Sequence, residues 1–556
     1  MGFILYLILQ FVYNPEKLTP ELQAYLGGLR DNEKIGVMII MKRQYPYKEL
    51  ENLSVHEKAR IYKQIAWTNK HLLVEYLKQF PDKVDSLQQF WIFNGIFLMT
   101  TKEVIEAICQ REDVLLVSHI SQIDLPPIIE GEPIACDGIE WNIQKVMADS
   151  CWNAGYTGDS IIIGHIDSGV DTTHPALRGG KLIKWRDFVD NSPIPYDDFG
   201  HGTHTFGSLC GGDGLGPFSE DIGVAPGAKI IAAKIFGSTP GVDLLALQWM
   251  VDLKVDSGYN IRSVLNPWGV NTTLYYWEIC NTLKSLEILP VFSIGNNGPG
   301  ASTTGSPGNY PLCIGIGATN SNDSIAIFSS RGPAPDSEPF NNPAYWYRTD
   351  WNLIKPDIVA PGLYIRSAWI YNNYAICSGT SMSAPHVAGA IAILCQANPT
   401  LTVTELYNLI LENADQPSQG APYPNNNYGW GRLNVWKALK LITGIDENSK
   451  LLIAQPMLEV YPNPFQNHLN IKFQIPIRNP QSEISLKIYD ATGRLVKSFN
   501  HLIIQPFSAE GGSASGGNQV VWSGDDDLGR AVPPGVYFIR LEAADFKRVE
   551  KIILIK

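Results

Sequence analysis

Charged residues are scarce in this chain, 18% of 556, and they lean acidic, with a formal net charge of −12. That balance excludes binding of nucleic acid through a basic surface. No apolar run is long enough to cross a bilayer as a helix, so no transmembrane segment is expected. Residues 2–12 are apolar and of signal-peptide length but lack a basic leader and a clear cleavage site, so residues 1–14 read as a signal-peptide remnant. The eight cysteines are scattered, with no C-x-x-C pair and none after Cys395. Several, such as Cys313 and Cys395, sit in apolar runs and read as buried free thiols, with a single disulfide between distant positions left open. What is present is ample apolar material, 45% of residues, on a chain too long for one ordinary core. About three domains are expected.

Three short segments carry chemistry. Residues 166–171 (IDSGVD), 200–204 (GHGTH) and 378–389 (SGTSMSAPHVAG) set a carboxylate, an imidazole and a hydroxyl in glycine-rich turns. A serine hydroxyl is almost never ionised at neutral pH and attacks an amide only if a neighbouring base takes its proton. His201 suits that base, because imidazole titrates near neutrality. Asp167 would fix its tautomer, and Ser381 would be the nucleophile. The pattern reads as a serine protease.

Local sequence suggests how these groups are presented. Residues 161–166 (IIIGHI) form an apolar run of the kind that makes a buried parallel strand, leaving Asp167 at its carboxyl end, where open α/β sheets place their sites. His165, on the same run, is expected to point to the opposite face. Residues 384–396 read as a buried helix with Pro385 in its first turn, so Ser381 should lie at a helix N-terminus, where free N–H groups favour negative charge. Residues 289–298 (LPVFSIGNNG) end a strand-like run in a Gly-Asn turn and can supply a second donor to an oxyanion.

With these motifs the chain resembles the subtilisin-like serine proteases, or subtilases, from about Trp141 to Thr443. The order Asp, His, Ser is that of this family. Residues 141–143 (WNI), 224–228 (VAPGA), 355–362 (KPDIVAPG) and 428–434 (YGWGRLN) add to the likeness. The resemblance implies Asn296 as an oxyanion-hole residue and Pro267, Trp268, Gly269 and Gly295 as substrate-binding positions. Pro267 departs from the pattern, standing where serine is common; it has no N–H but keeps a carbonyl for pairing with a substrate chain. Trp268 either narrows the first pocket or packs away from it. The implied fold is α/β, a doubly wound, mostly parallel sheet, over residues 138–443.

Upstream, residues 35–41, 90–98 and 113–119 read as strands and 54–80 and 101–111 as helices. That order, with FNG followed by TKEVI, resembles a subtilase propeptide, an α+β domain expected over 30–123 that assists folding and then lies across the cleft as an inhibitor. The alternative is a permanently attached accessory domain. Residues 124–137 are Pro-rich and acidic, an expected exposed linker for autoprocessing. A polar linker over 444–456 leads to short alternating runs over 457–556, which predict a β-sandwich. Residues 461–465 (YPNPF), 488–494 (IYDATGR), 522–527 (WSGDDD), 534–538 (PGVYF) and the terminal KIILIK resemble the sorting domains of type IX secretion.

The expectation is a monomeric, secreted or surface-exposed zymogen that hydrolyses polypeptides and partners type IX-like secretion machinery. No cofactor is required for this chemistry. Structural calcium is conceivable in residues 187–198 or the turn at Asp525 to Asp527, although solvated loops explain both. His201 and His204 with Asp197 or Asp198 could also be read as metal ligands, but the triad already accounts for His201. Asp171, His174 and His386 read as structural members of their motifs. The competing classes are a catalytically inactive surface or binding protein that keeps the fold, and a highly selective processing protease.

Overall fold

The computed structural model describes residues 15–120, 129–131, 138–216, 218–237, 240–444, 457–474, 484–499, 518–543 and 546–555. The expected signal-peptide remnant lies outside them, as do the 444–456 linker apart from Gly444 and the 124–137 linker apart from residues 129–131. The chain divides into two compact units, residues 1–445 and 446–556.

The first unit begins with α1 (Pro20–Leu26), β1 (Lys34–Met41), α2 (Val55–Leu77), β2 (Val84–Phe90), β3 (Gly95–Thr101), α3 (Lys102–Cys109) and β4 (Val114–His119). The strands pair antiparallel in the order β2-β3-β1-β4. A capping box between Ser54 and Glu57 sets the start of α2 by satisfying orphan N–H groups at both positions. The single strand expected over residues 90–98 is in fact a hairpin, with Phe90 opposite Gly95. Gly95 turns that corner: a Cβ there would lie 2.5 Å from the Ile39 carbonyl oxygen. Asn-Gly was the hairpin signal within an otherwise continuous apolar run.

Then follow β5 (Ile129–Gly131), α4 (Trp141–Lys145), α5 (Ala148–Asn153), β6 (Ile162–Asp167), β7 (Leu182–Asp187), α6 (His201–Cys210), β8 (Lys229–Lys234), α7 (Val242–Ser257), β9 (Ile261–Asn266), α8 (Trp277–Ser285), β10 (Leu289–Ser293), β11 (Ile314–Thr319), β12 (Ile358–Pro361), β13 (Ile365–Trp369), β14 (Asn373–Ser378), α9 (Thr380–Ala397), α10 (Val403–Glu412) and α11 (Val435–Thr443). Seven strands form a wholly parallel sheet in the order β12-β11-β10-β9-β6-β8-β7. Each face is buried. Ile163, Ile230 and Leu265 join a core with Phe206 of α6 and Val387 of α9. Ile166, Ile231 and Val264 join another with Leu247 of α7 and Ile279 of α8. This is the expected doubly wound α/β arrangement, with β6 near the middle and strands added on both sides of it.

Residues 129–131, inside the stretch expected to be an exposed linker, form a strand instead. β5 pairs antiparallel with β14, Ser378 standing opposite Ile129. The backbone of β14 offered an open edge, and pairing satisfies its N–H and C=O groups. Cys109, Cys151, Cys210, Cys280, Cys313 and Cys395 are buried free thiols, as expected.

The second unit holds β15 (Met457–Tyr461), β16 (Leu469–Gln474), β17 (Ile484–Asp490), β18 (Leu495–Phe499), β19 (Asn518–Trp522), β20 (Gly535–Ala543) and β21 (Phe546–Leu554). They make two antiparallel sheets, β15-β16-β19 and β18-β17-β20-β21. Ile471 and Trp522 of the first sheet share a core with Ile488, Ile539 and Ile552 of the second. Buried apolar residues at alternate positions, as at Leu486 and Ile488 and at Tyr537, Ile539 and Leu541, give each of these strands its inward face.

Candidate active site

Asp167 ends β6 and is fully buried. The turn that follows brings backbone against backbone. A Cβ on Gly169 (φ +125°) would lie 2.0 Å from the Tyr196 carbonyl oxygen, and one on Gly202 would lie 2.1 Å from the Gly169 carbonyl oxygen. Only glycines at both positions let the first turn of α6 seat on that loop. His201, the first residue of α6, thereby comes within reach of Asp167, its Nδ1 2.7 Å from Oδ1. The Ser168 N–H donates to the same oxygen at 2.6 Å. Burial pushes the Asp167 carboxyl up, but the adjacent His201 and His165 imidazoles outweigh it and hold it far below the usual carboxylate range. With Nδ1 committed to an ionised carboxylate, Nε2 is the basic nitrogen of His201, buried and without a hydrogen-bond partner.

Ser381 is the second residue of α9. The helix starts at Thr380, earlier than the sequence suggested, so Pro385 falls in its second turn and leaves the Ser381 carbonyl without its usual N–H donor. The Ser381 hydroxyl donates to the Pro267 carbonyl at 2.6 Å. Asn296 Oδ1 accepts from the Thr380 N–H and from the Thr380 hydroxyl, both at 2.9 Å. Those two donors fix the orientation of the amide, so Nδ2 faces away from Thr380. A point 1.5 Å or so off Gly379 Cα, the place of an ideal Cβ, lies 3.5 Å from Asn296 Nδ2 and 3.7 Å from Ser381 N. Two N–H donors thus border the same small space beside Ser381.

A cavity of about 490 Å³ opens here, lined by Gly269, Tyr275, Gly295, Asn296 and Ser381 among others. Ser118, His119 and Glu21 of the N-terminal part border it too. His119 stacks on Tyr25 at 4.6 Å, and burial lowers its pKa. Trp268 borders the cavity but is buried beneath it, its indole N–H donating to the Ile166 carbonyl at 2.9 Å and its ring set edge-on to Phe292. Packing below the pocket is therefore the outcome for that side chain. The N-terminal part also packs on α7 and α8. The Tyr47 hydroxyl donates to Glu278, the Trp91 indole N–H to Asp252, and Lys63 pairs with Asp256.

Several expectations need correction or completion. His165 does not face away from Asp167; its Nε2 stands 3.6 Å from Asp167 Oδ2. The two residues are two apart on β6, and strand side chains repeat every two residues. Thr205 and the Pro267 carbonyl were missed as partners, although Thr205 follows His201 by four residues and so shares its helix face. His204 Nε2 donates to the Ile365 carbonyl at 3.0 Å, and burial pushes its pKa down to about 3, so it is a structural group. His386 is structural as well, Nδ1 donating to the Met382 carbonyl at 2.9 Å.

The acidic segments do not fit a cation. Asp187 accepts from the N–H groups of Val189 and Ser192, and Asp197 accepts from the Ser168 and Thr203 hydroxyls. Asp198 pairs with Lys234, and Asp525 with Lys497. Among the described residues no group of three or more His, Cys, Asp and Glu side chains converges as a metal site. No described helix is long and apolar enough to cross a membrane.

Residues 158–431 match the Subtilase family, and residues 459–505 match the secretion system C-terminal sorting domain. That tail, on a chain whose relatives include subtilisins, marks the protein for secretion or the outer cell surface. Bacillopeptidase F of Bacillus subtilis (strain 168) is 33% identical over 415 residues, which cover 67% of this chain and 28% of that protein. This chain thus spans little more than a quarter of bacillopeptidase F. Subtilisin E of the same organism is 31% identical over 324 residues, 56% of this chain and 74% of its own length. Subtilisin Savinase of Lederbergia lenta is 30% identical over 305 residues, 54% of this chain and 99% of its own length. Likeness sustained through almost all of one subtilisin makes this chain a member of the subtilase family of subtilisin-like serine endopeptidases.

Proposed function

We propose that this protein is a secreted serine endopeptidase made as a self-processing zymogen, with Asp167, His201 and Ser381 as its triad and Asn296 as an oxyanion donor. The Ser381 hydroxyl turns from the Pro267 carbonyl to His201 Nε2, gives up its proton there, and its oxygen bonds to the scissile carbonyl carbon. The carbonyl oxygen becomes an oxyanion held by Asn296 Nδ2–H and the Ser381 N–H. Collapse breaks the C–N bond, His201 returns the proton to the leaving amine, and an acyl-enzyme remains on Ser381. Water repeats the sequence and releases the acid. The observation that carries this reading is the buried 2.7 Å Asp167–His201 hydrogen bond that leaves Nε2 bare.

The N-terminal α+β part acts as the propeptide. Its packing on α7 and α8 and the presence of Ser118 and His119 at the cavity support an inhibitory position. Among the described residues, every side chain that residues 138–443 contribute to the cavity wall is uncharged, which suits a neutral residue before the scissile bond. Pro267, Trp268, Gly269 and Gly295 shape that subsite. The C-terminal sheets serve as the sorting domain for type IX-like machinery.

Intact mass followed over time, for the full-length chain beside Ser381→Ala, tests the reading. The parent sheds a fragment ending between residues 124 and 137, while Ser381→Ala stays whole. If both stay whole and neither degrades casein, an inactive relative is the better description.

A further inference from the structure

Behind the candidate triad lies a second set of polar groups that the mechanism above does not use. His165 and Thr205 are both fully buried. Thr205 sits one turn after His201 on α6, and the two present their side chains to the two oxygens of one carboxylate. His201 Nδ1 meets Asp167 Oδ1 at 2.7 Å, and the Thr205 hydroxyl donates to Asp167 Oδ2 at 2.8 Å. His165 Nε2 in turn lies 2.9 Å from Thr205 Oγ1.

The proton count orders this chain of contacts. Thr205 has one hydroxyl proton and two acceptors within reach, Asp167 Oδ2 at 2.8 Å and the Gly202 carbonyl at 3.2 Å; the nearer, ionised oxygen takes it, which leaves the hydroxyl oxygen as an acceptor. His165 must then donate from Nε2. Its Nδ1 is buried with no hydrogen-bond partner, so a proton there would be an unsatisfied, desolvated donor. His165 is therefore neutral, in the Nε2–H form, held edge-on to the Phe206 ring at 5.7 Å. Direction runs one way: His165 Nε2–H to Thr205 Oγ, and Thr205 O–H to Asp167 Oδ2. Hydrogen bonds linked in this fashion polarise one another, which makes the hydroxyl a stronger donor.

We propose that His165 and Thr205 are positioning residues that hold the second oxygen of Asp167 through a relay of hydrogen bonds from neutral donors. With Oδ1 shared by His201 and the Ser168 N–H, and Oδ2 held by Thr205, the carboxylate plane cannot turn. The ring of His201 is fixed with it. The inference rests on the proposed triad and adds two residues that touch neither substrate nor the reacting atoms.

The relay also moderates charge. By drawing electron density from Oδ2, the Thr205 hydroxyl weakens the pull of the carboxylate on a protonated His201. The titratable and charged groups facing this spot are His165 on β6, His201 and His204 on α6, Lys234 on β8, whose ammonium donates to the Ser168 carbonyl at 2.7 Å, and Asp197 and Asp198 on the loop before α6. None of them changes in a variant confined to Thr205, and a His165 variant removes His165 alone.

The test uses the purified full-length chain, with active sites titrated and kcat and KM measured on a neutral fluorogenic peptide across pH. Thr205→Val removes the donor at nearly constant shape. Its kcat falls about tenfold to a hundredfold, the loss expected for a hydrogen bond to a charged group, while KM changes little. The acidic limb of kcat/KM moves to higher pH, because the unshielded carboxylate holds the imidazolium more tightly. Thr205→Ser keeps the hydroxyl and stays near the parent. His165→Leu loses about twofold to tenfold in kcat, as for a neutral hydrogen bond. His165→Gln, whose amide nitrogen can reach the place of Nε2, recovers it.

A Thr205→Val variant with the parent's kcat and pH profile overturns the proposal. So does equal loss in Thr205→Val and Thr205→Ser, or in His165→Leu and His165→Gln, since packing alone would then explain the residues. Should Thr205→Val or His165→Leu not fold, His165→Gln against His165→Asn decides, because the shorter amide cannot reach Thr205. A parent no more active than Ser381→Ala rejects the peptidase reading and this inference with it.

Discussion

Replacing Asn296 by Asp tests the oxyanion assignment at a single atom. Asn296 Oδ1 takes two hydrogen bonds from Thr380, both at 2.9 Å, and a carboxylate oxygen can keep both. Only Nδ2, facing the space beside Ser381 N, is exchanged for an oxygen that cannot donate. Losing one preorganised donor costs about 2.7–4 kcal/mol of transition-state stabilisation, or about 10²–10³ in kcat. The new negative charge adds to that. KM should change by less than about threefold, because the substrate carbonyl is neutral before attack and gains little from the donor. Asn296→Ala gives the second arm. It loses the donor and also the two Thr380 bonds, each worth about 1 kcal/mol, so stability falls as well as kcat. Steady-state kinetics with titrated active sites, beside thermal unfolding of each variant, separates the two effects. The reasoning fails if either variant keeps more than about a third of the parent's kcat, or if the loss falls in KM.

Two further outcomes follow from packing and titration. Burial pushes the Glu278 carboxyl up to about 7, against the lowering effect of the Tyr47 hydroxyl that donates to it. The unfolded chain releases this proton near 4.5, so the folded state binds more protons between about 4.5 and 7. Stability therefore falls as pH rises through that window and levels off above it, by up to about 3 kcal/mol from this group. Denaturant unfolding of Ser381→Ala at pH 5 and 8 should show a larger drop than the same chain carrying Glu278→Gln, and equal drops would refute the assignment. Gly202→Ala sets a methyl 2.1 Å from the Gly169 carbonyl oxygen, both on backbone that cannot swing aside. Pushing α6 off the turn by about 1 Å costs about a hundredfold in kcat; a variant with parental activity would show that the close approach does not position His201.

Much of the site was legible locally. Glycines at 169 and 202 mark backbone contacts that no larger residue permits, so the turns carrying Asp167 and His201 announced themselves in the motifs. The apolar run before Asp167 marked a parallel strand buried on both faces, and the alternating runs after residue 457 marked antiparallel strands, since period and composition follow from which faces are covered. Local patterning was weaker where one apolar run served two elements. The run at 90–98 breaks at Asn94-Gly95 into two strands, and α9 begins four residues before the apolar stretch that signalled it.

Partners across the fold were another matter. That Ser381 rests on the Pro267 carbonyl, 114 residues away, that Asp167 Oδ2 belongs to Thr205, and that β5 completes an edge beside β14 are products of packing. Sequence by itself determined which side chains could do chemistry and which turn or helix end would present each, because backbone sterics and hydrophobic period act over a few residues. Only the tertiary structure decided which lone pair met which donor. Hydrogen bonds hold over about 3 Å, and no spacing along a chain specifies a distance that small between elements far apart in sequence.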